Sequence, residues 1–146
     1  MHSLNALSYK ELRELHLRGT CPQADAFNGV ADGQILGGGL LSRLKIWRGK
    51  AFEMQTNGVP QGLNRIGVGP WEFRKYRFTA YVGRSAFSQR DVLLLDHDHD
   101  GNPAWVRSYH DELVQVGDNL YLATSHQKVN GKLAFRAYFC LSLIQS

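Results

Sequence analysis

A chain of 146 residues fits one domain, large enough to bury a core or to enclose a pocket. Its 43% apolar and 21% charged residues are those of an ordinary globular protein, and no apolar run approaches the ~18 residues a bilayer span needs. The formal charge of +4 comes from scattered basic residues with no stripe or recognition motif, so no nucleic acid partner is expected.

The N-terminus lacks a basic region followed by an apolar core, so a secretory leader is not expected and the chain reads as cytoplasmic. Ser8-Tyr9-Lys10-Glu11 has the form of a capping box, in which each side chain satisfies a backbone N–H of the other's turn. Leu4, Leu7, Leu12 and Leu15 fall near one face of the helix that follows, and Gly19 supplies its stop. So short a helix needs packing, and these leucines predict a lid or plug on the following sheet. Residues 1–22 are accordingly read as helix and linker, and residues 23–146 as one β domain.

From Ala26 onward the pattern is β. Strands are expected over 27–36, 47–54, 64–68, 72–82, 91–96, 104–109, 112–116, 120–124 and 132–141, with a glycine turn at 37–39 and a short helix over 40–46 before the second strand. Gly117-Asp118-Asn119 and Asn130-Gly131 are hairpin signals. About nine strands with short connectors leave no room for crossover helices and imply an antiparallel meander. A meander this long curls shut to remove its edges, giving a mainly β, up-and-down barrel of about 8–10 strands that can hold one small ligand. Cys21 and Cys140, far apart in the chain, read as free thiols.

Gly29-Val30-Ala31-Asp32-Gly33, followed by Trp47-Arg48-Gly49-Lys50-Ala51-Phe52, resembles the GXWXG family and the uncharacterised domain that commonly follows it. The resemblance continues through Tyr76-Arg77-Phe78, Tyr81-Val82-Gly83-Arg84-Ser85-Ala86, Leu95-Asp96, Asp111-Glu112-Leu113 and Tyr138-Phe139. It implies a calycin-like (lipocalin-like) barrel and brings no single activity with it. Ala31 stands where the family has its tryptophan, Val114 where it tends to have arginine, and 97–106 is longer than its hairpin.

The strand at 47–54 carries the strongest functional signal. Phe52 and Met54 mark its buried face, and strict alternation puts Arg48 and Lys50 on that same face. Cations beside core residues need an anionic partner, either Asp96 or Asp111 or a ligand. The leading expectation is therefore a small hydrophobic or amphipathic molecule with an anionic or carbonyl group. Arg48 and Lys50 would hold its polar end, and Trp47, Tyr76, Phe78, Phe135 and Phe139, with Trp71 and Trp105 as further candidates, would surround its body.

The alternative is a cofactor-independent isomerase, cyclase or lyase in the same barrel, with Lys50 stabilising negative charge and Asp96, His110 or Asp111 moving a proton. Haem binding is a third reading, permitted by six histidines. Asp96-His97-Asp98-His99-Asp100-Gly101-Asn102 begins like a calcium loop, but Arg107 stands where that loop needs a bidentate glutamate, so it reads as a polar turn and no metal or cofactor is expected. A homodimer is compatible with the sequence.

Overall fold

The computed structural model describes residues 2–37 and 46–144. A helix, α1 (Tyr9–Arg18), precedes strands β1 (Gly29–Leu36), β2 (Trp47–Met54), β3 (Pro60–Val68), β4 (Trp71–Arg84) and β5 (Asp91–Asp96). A one-turn helix, α2 (Ala104–Arg107), then leads into β6 (Tyr109–Gly117), β7 (Leu120–Val129) and β8 (Lys132–Leu143). Each strand pairs antiparallel with the next, and β1 pairs with β8, so the sheet closes into an up-and-down barrel. The expected fold class is borne out. The helix expected over 40–46 and the turn glycines Gly38 and Gly39 fall in 38–45, outside the described residues, except for Ile46, which is not helical.

The strand count is eight, because the ninth expected strand, over 104–109, is mostly α2. Pro103 precedes this helix, where a missing N–H costs nothing, and its carbonyl accepts from the N–H groups of Val106 and Arg107 at 3.0 and 3.1 Å. Val106 turns inward, while Trp105 is left 55% exposed. The hairpin signals form as expected: Asn119, Asn130 and Gly131 adopt the left-handed backbone that two-residue turns require.

Both halves of the capping box form on α1. Ser8 Oγ accepts from Glu11 N at 3.2 Å, and Glu11 Oε1 accepts from Ser8 N at 3.0 Å. At the other end the Arg90 guanidinium donates to the carbonyls of His16 and Leu17 at 2.7 and 3.1 Å, matching a cation to the negative end of the helix. Leu12, with Leu4 before it, packs on Leu36, Leu122, Tyr138 and Cys140 of the barrel's outer wall. The helix therefore covers the outside of the sheet and neither lids nor plugs the barrel. Cys140 is buried in this layer, and both cysteines are free.

Inward-facing positions follow the two-residue period: Phe78 and Ala80, Leu93 and Leu95, Phe139 and Leu141. One end of the barrel is filled by Phe27, whose ring lies 5.0 Å from Phe52 and 4.7 Å from Tyr121, centroid to centroid. The other end, where the odd-numbered strands finish and the even-numbered strands begin, holds a cavity. Among the described residues, no helix is long and apolar enough to cross a membrane.

Candidate functional site

The cavity measures about 340 Å3. Trp47, Lys50, Asn64, His97, Asp111 and Phe139 line it, with Ile66, Tyr76, Trp105 and Arg136 also on its wall. Trp105 and Arg136 are exposed and form its rim.

Lys50 enters the cavity because β2 alternates regularly from Phe52 back to it. Beyond Lys50 the strand breaks register with β3 between Trp47 and Gly49, and Gly49 takes a φ of 132° that disfavours any residue with a side chain. This bulge breaks the shared face expected for Arg48 and Lys50. Arg48 turns away from the cavity and donates to the Gly69 carbonyl at 2.6 Å, with Glu72 3.9 Å away. Its guanidinium lies over Gly67, where a side chain would collide with it. One cation thus remains inside, and it is 2% exposed.

Asn64 organises the site. Its Oδ1 accepts from Lys50 Nζ at 2.8 Å and from Trp47 Nε1 at 2.9 Å, while its Nδ2 donates to the Tyr76 carbonyl at 3.0 Å and to His97 Nε2 at 3.2 Å. With all four positions used, the amide can sit only one way round. The donation to Tyr76 also holds a second bulge: β3 and β4 slip at Leu63/Asn64, and Tyr76 has a φ of 66°, costly for an aromatic residue. Lys50 Nζ lies 3.3 Å from His97 Nε2 and 4.4 Å from the Phe78 centroid. Because His97 Nε2 accepts, its proton belongs on Nδ1, which faces Asp111 Oδ2 at 4.0 Å.

The electrostatics follow from burial. Desolvation lowers the Lys50 amine to about 8, although the Asp111 charge pulls it back up. Burial raises the Asp111 carboxyl above its ordinary range, opposed by Lys50 and by the hydroxyl of its cross-strand neighbour Ser125. His97 is held neutral, well below its usual value, by burial and then by the Lys50 charge. Asp111 Oδ1 and His97 Nδ1 are buried with no hydrogen-bond partner, and both belong to cavity-lining residues. The ensemble is an amine, a carboxyl and a neutral imidazole around one apolar space, suited to polarising or exchanging protons with a bound polar group.

The other sequence-derived candidates divide between the two sides of the wall. Trp47, Tyr76 and Phe139 line the cavity, and Phe78 lies beneath Lys50. Phe135 is displaced. β7 and β8 slip at Ser125/His126, which puts Arg136 on the cavity wall, while Phe135 packs outside on Tyr9 at 5.7 Å. Asp96 also departs from its expected role: it closes the turn after β5, accepting from Asp98 N at 2.9 Å, and its neighbour His97 enters the cavity. His110 points to the outer face, opposite Asp111, as adjacent strand residues must.

On that outer face His110 Nε2 meets Glu112 Oε2 at 2.6 Å. Glu112, 1% exposed, also accepts from Ser85 Oγ at 2.7 Å and from Ala86 N at 2.8 Å. Burial alone would raise this carboxyl, but the hydrogen bonds from His110, Ala86 and Ser85 outweigh it and bring it down to about 2. His16 of α1 bonds the Glu112 carbonyl at 3.0 Å, tying the helix to the same spot.

Sequence reasoning missed Asn64, His97, Ser125 and Arg136 as cavity residues; it named Trp105, which does line the cavity, and Trp71, which is 67% exposed and does not. The signal for His97 was present: Leu93, Leu95 and His97 continue one period-two series. The stretch 96–102 is a polar turn, as expected. Asn102 donates to the carbonyls of Arg77 and His97, and Arg107 pairs with Asp98 at 2.7 Å. Among the described residues, no group of three His, Cys, Asp or Glu side chains stands close enough to hold a metal ion. The eight-stranded closed barrel is compatible with a calycin-like architecture. Comparison of the chain with protein-family models, curated proteins and solved structures returns no match, for the GXWXG family or any other.

Proposed function

We propose that the barrel binds a small, mainly apolar molecule that presents a carbonyl or anionic group to Lys50. The observation that carries this reading is Lys50 itself, a nearly inaccessible cation opening onto a cavity of about 340 Å3 with aromatic walls. That volume lies at the lower end of the about 300–1,000 Å3 typical of small-molecule sites. Asn64 and His97 take two directions of the amine, and a ligand oxygen would take the third. Native mass spectrometry with octanoate, octan-2-one and octan-1-ol tests it. One saturable equivalent is expected for at least one of the first two, weakened about tenfold by Lys50→Met. Retention of neither octanoate nor octan-2-one would overturn the reading.

Enzymatic proton transfer next to such a carbonyl is the second reading, favoured by the unpartnered Asp111 Oδ1. Asp111 would take the proton on carbon while Lys50 held the developing enolate oxygen. Deuterium exchange into bound octan-2-one, followed by NMR, should stop in Asp111→Asn while binding persists; exchange no faster than in buffer would exclude it. Haem has less support, because His97, the histidine on the cavity wall, already has Nε2 engaged by Lys50 and Asn64.

A further inference from the structure

We infer that Lys50 forms a covalent imine with aldehydes or ketones that enter the barrel, with Asp111 as its proton carrier. The inference rests on the binding proposal above and narrows its ligand from any carbonyl or anionic group to a reactive carbonyl.

Charge balance in the cavity makes the selection. Lys50 and Asp111 are both buried at 5% exposure or less, and together they sum to zero. A carboxylate ligand seated at Lys50 would add a second negative charge beside Asp111 in a space with apolar walls, where repulsion and desolvation both act against it. A neutral carbonyl adds no charge. The other basic residue on the cavity wall, Arg136, is exposed at the rim and donates to Gln127 at 3.0 Å, so it does not offset a charge at the floor.

The amine is also positioned for attack. Hydrogen bonds to Asn64 Oδ1 and His97 Nε2 fix Nζ at the floor, and the Phe78 ring closes off one side. Burial lowers the amine to about 8, so near pH 7 about a tenth of it carries a free lone pair, against fewer than about one in a thousand for an ordinary lysine. Asp111, the carboxylate on the cavity wall, is buried, and its Oδ1 has no hydrogen-bond partner.

The sequence of bonds then balances. The Lys50 lone pair forms a C–N bond to the carbonyl carbon, and the C=O π pair moves onto oxygen. Asp111 takes a proton from nitrogen and delivers it to that oxygen, giving a carbinolamine. A second proton shuttled from nitrogen to the hydroxyl through Asp111 lets the C–O bond break; water leaves and the C=N bond forms. Amine plus carbonyl gives imine plus water, with no oxidant or reductant.

The test uses octanal with cyanoborohydride, which freezes an imine as a stable secondary amine, and octan-1-ol as an unreactive occupant of the same shape. Intact-mass and peptide analysis should show one added octyl group on Lys50, formed about tenfold faster than on the surface lysines and suppressed by saturating octan-1-ol. Lys50→Arg should lose this label while the other lysines react at their original rates. Asp111→Asn should slow labelling about tenfold with octan-1-ol still bound. Should Lys50→Arg not fold, suppression of the Lys50 label by octan-1-ol in the unaltered protein decides the matter alone. Octan-1-ol held without preferential labelling of Lys50 overturns the imine and leaves the binding proposal standing; an Asp111→Asn variant labelled at the original rate removes Asp111 from the step. If octan-1-ol, octanal, octan-2-one and octanoate are all rejected, both proposals fall.

Discussion

Lys50 Nζ donates a 2.8 Å hydrogen bond to an Asn64 oxygen that also accepts from Trp47, so one neutral amide holds the buried cation and the indole together. Asn64→Leu leaves the Lys50 amine, the Trp47 N–H and the Tyr76 carbonyl short of a partner. At about 1–3 kcal/mol for each buried group left unmade, urea unfolding should register a loss of at least about 3 kcal/mol. Asn64→Asp keeps the acceptor, adds a charge beside Lys50 and should raise its pKa, which NMR titration of the lysine Cε resonances reads. A loss under about 1 kcal/mol in Asn64→Leu would show that the network is incidental to the fold.

Lys50 also predicts an unusual alkaline response. Its amine titrates near 8 in the folded protein against 10.5 in an unfolded chain, so between those values the unfolded chain binds more protons. Stability from this group is therefore lowest below about pH 8 and recovers as pH rises towards 10.5, a gain of about 3 kcal/mol. The difference in unfolding free energy between the unaltered protein and Lys50→Met, followed from about pH 7 to about pH 10, should move in favour of lysine. A flat difference would mean that the amine is solvated.

Glu112 produces the opposite, acidic limb. Its carboxyl falls to about 2 on folding from an ordinary 4.5, so its contribution is complete above 4.5 and drains away as pH drops towards 2. Glu112→Gln should cost about 2–3 kcal/mol near neutrality, and the gap to the unaltered protein should close in acid. Because Glu112 lies outside the barrel under α1, octan-1-ol binding to the folded variant should be unchanged.

The rim position of Trp105 predicts an effect on access and not on stability. It is 55% exposed and meets Tyr76 edge-on at 5.4 Å above the cavity. Trp105→Ala should shift unfolding by no more than about 1 kcal/mol, yet shorten the residence of a bound octyl ligand several-fold in stopped-flow displacement. An unchanged release rate would place the entrance elsewhere on the rim.

Much of this architecture was legible in the residues, and the failures share a cause. Leu93 with Leu95 and Phe139 with Leu141 declare their face by simple alternation, and the turns at Asn119 and Asn130 declare themselves by composition. Alternation also finds Lys50, because nothing interrupts β2 between it and Phe52. Arg48 and Phe135 were assigned to the wrong side because each lies just across a bulge from the correctly placed residues, and one inserted residue reverses every face beyond it. No composition rule marks those slips; they are fixed by partner strands distant in sequence. Asn64 went unseen for a related reason, since its four partners come from β2, β4 and the turn after β5.

The Phe27 plug carries a kinetic implication. With Phe27, Phe52 and Tyr121 filling the far end, the described residues leave the cavity as a dead end with the Lys50 amine at the bottom. Under the binding proposal, traffic would be single-file and two-way: an occupant would back out along its entry path before a successor could reach Lys50. Two ligands cannot share the floor, so inhibition by any snug occupant should be strictly competitive. If a bound molecule is turned over there, turnover can be no faster than the departure of its product.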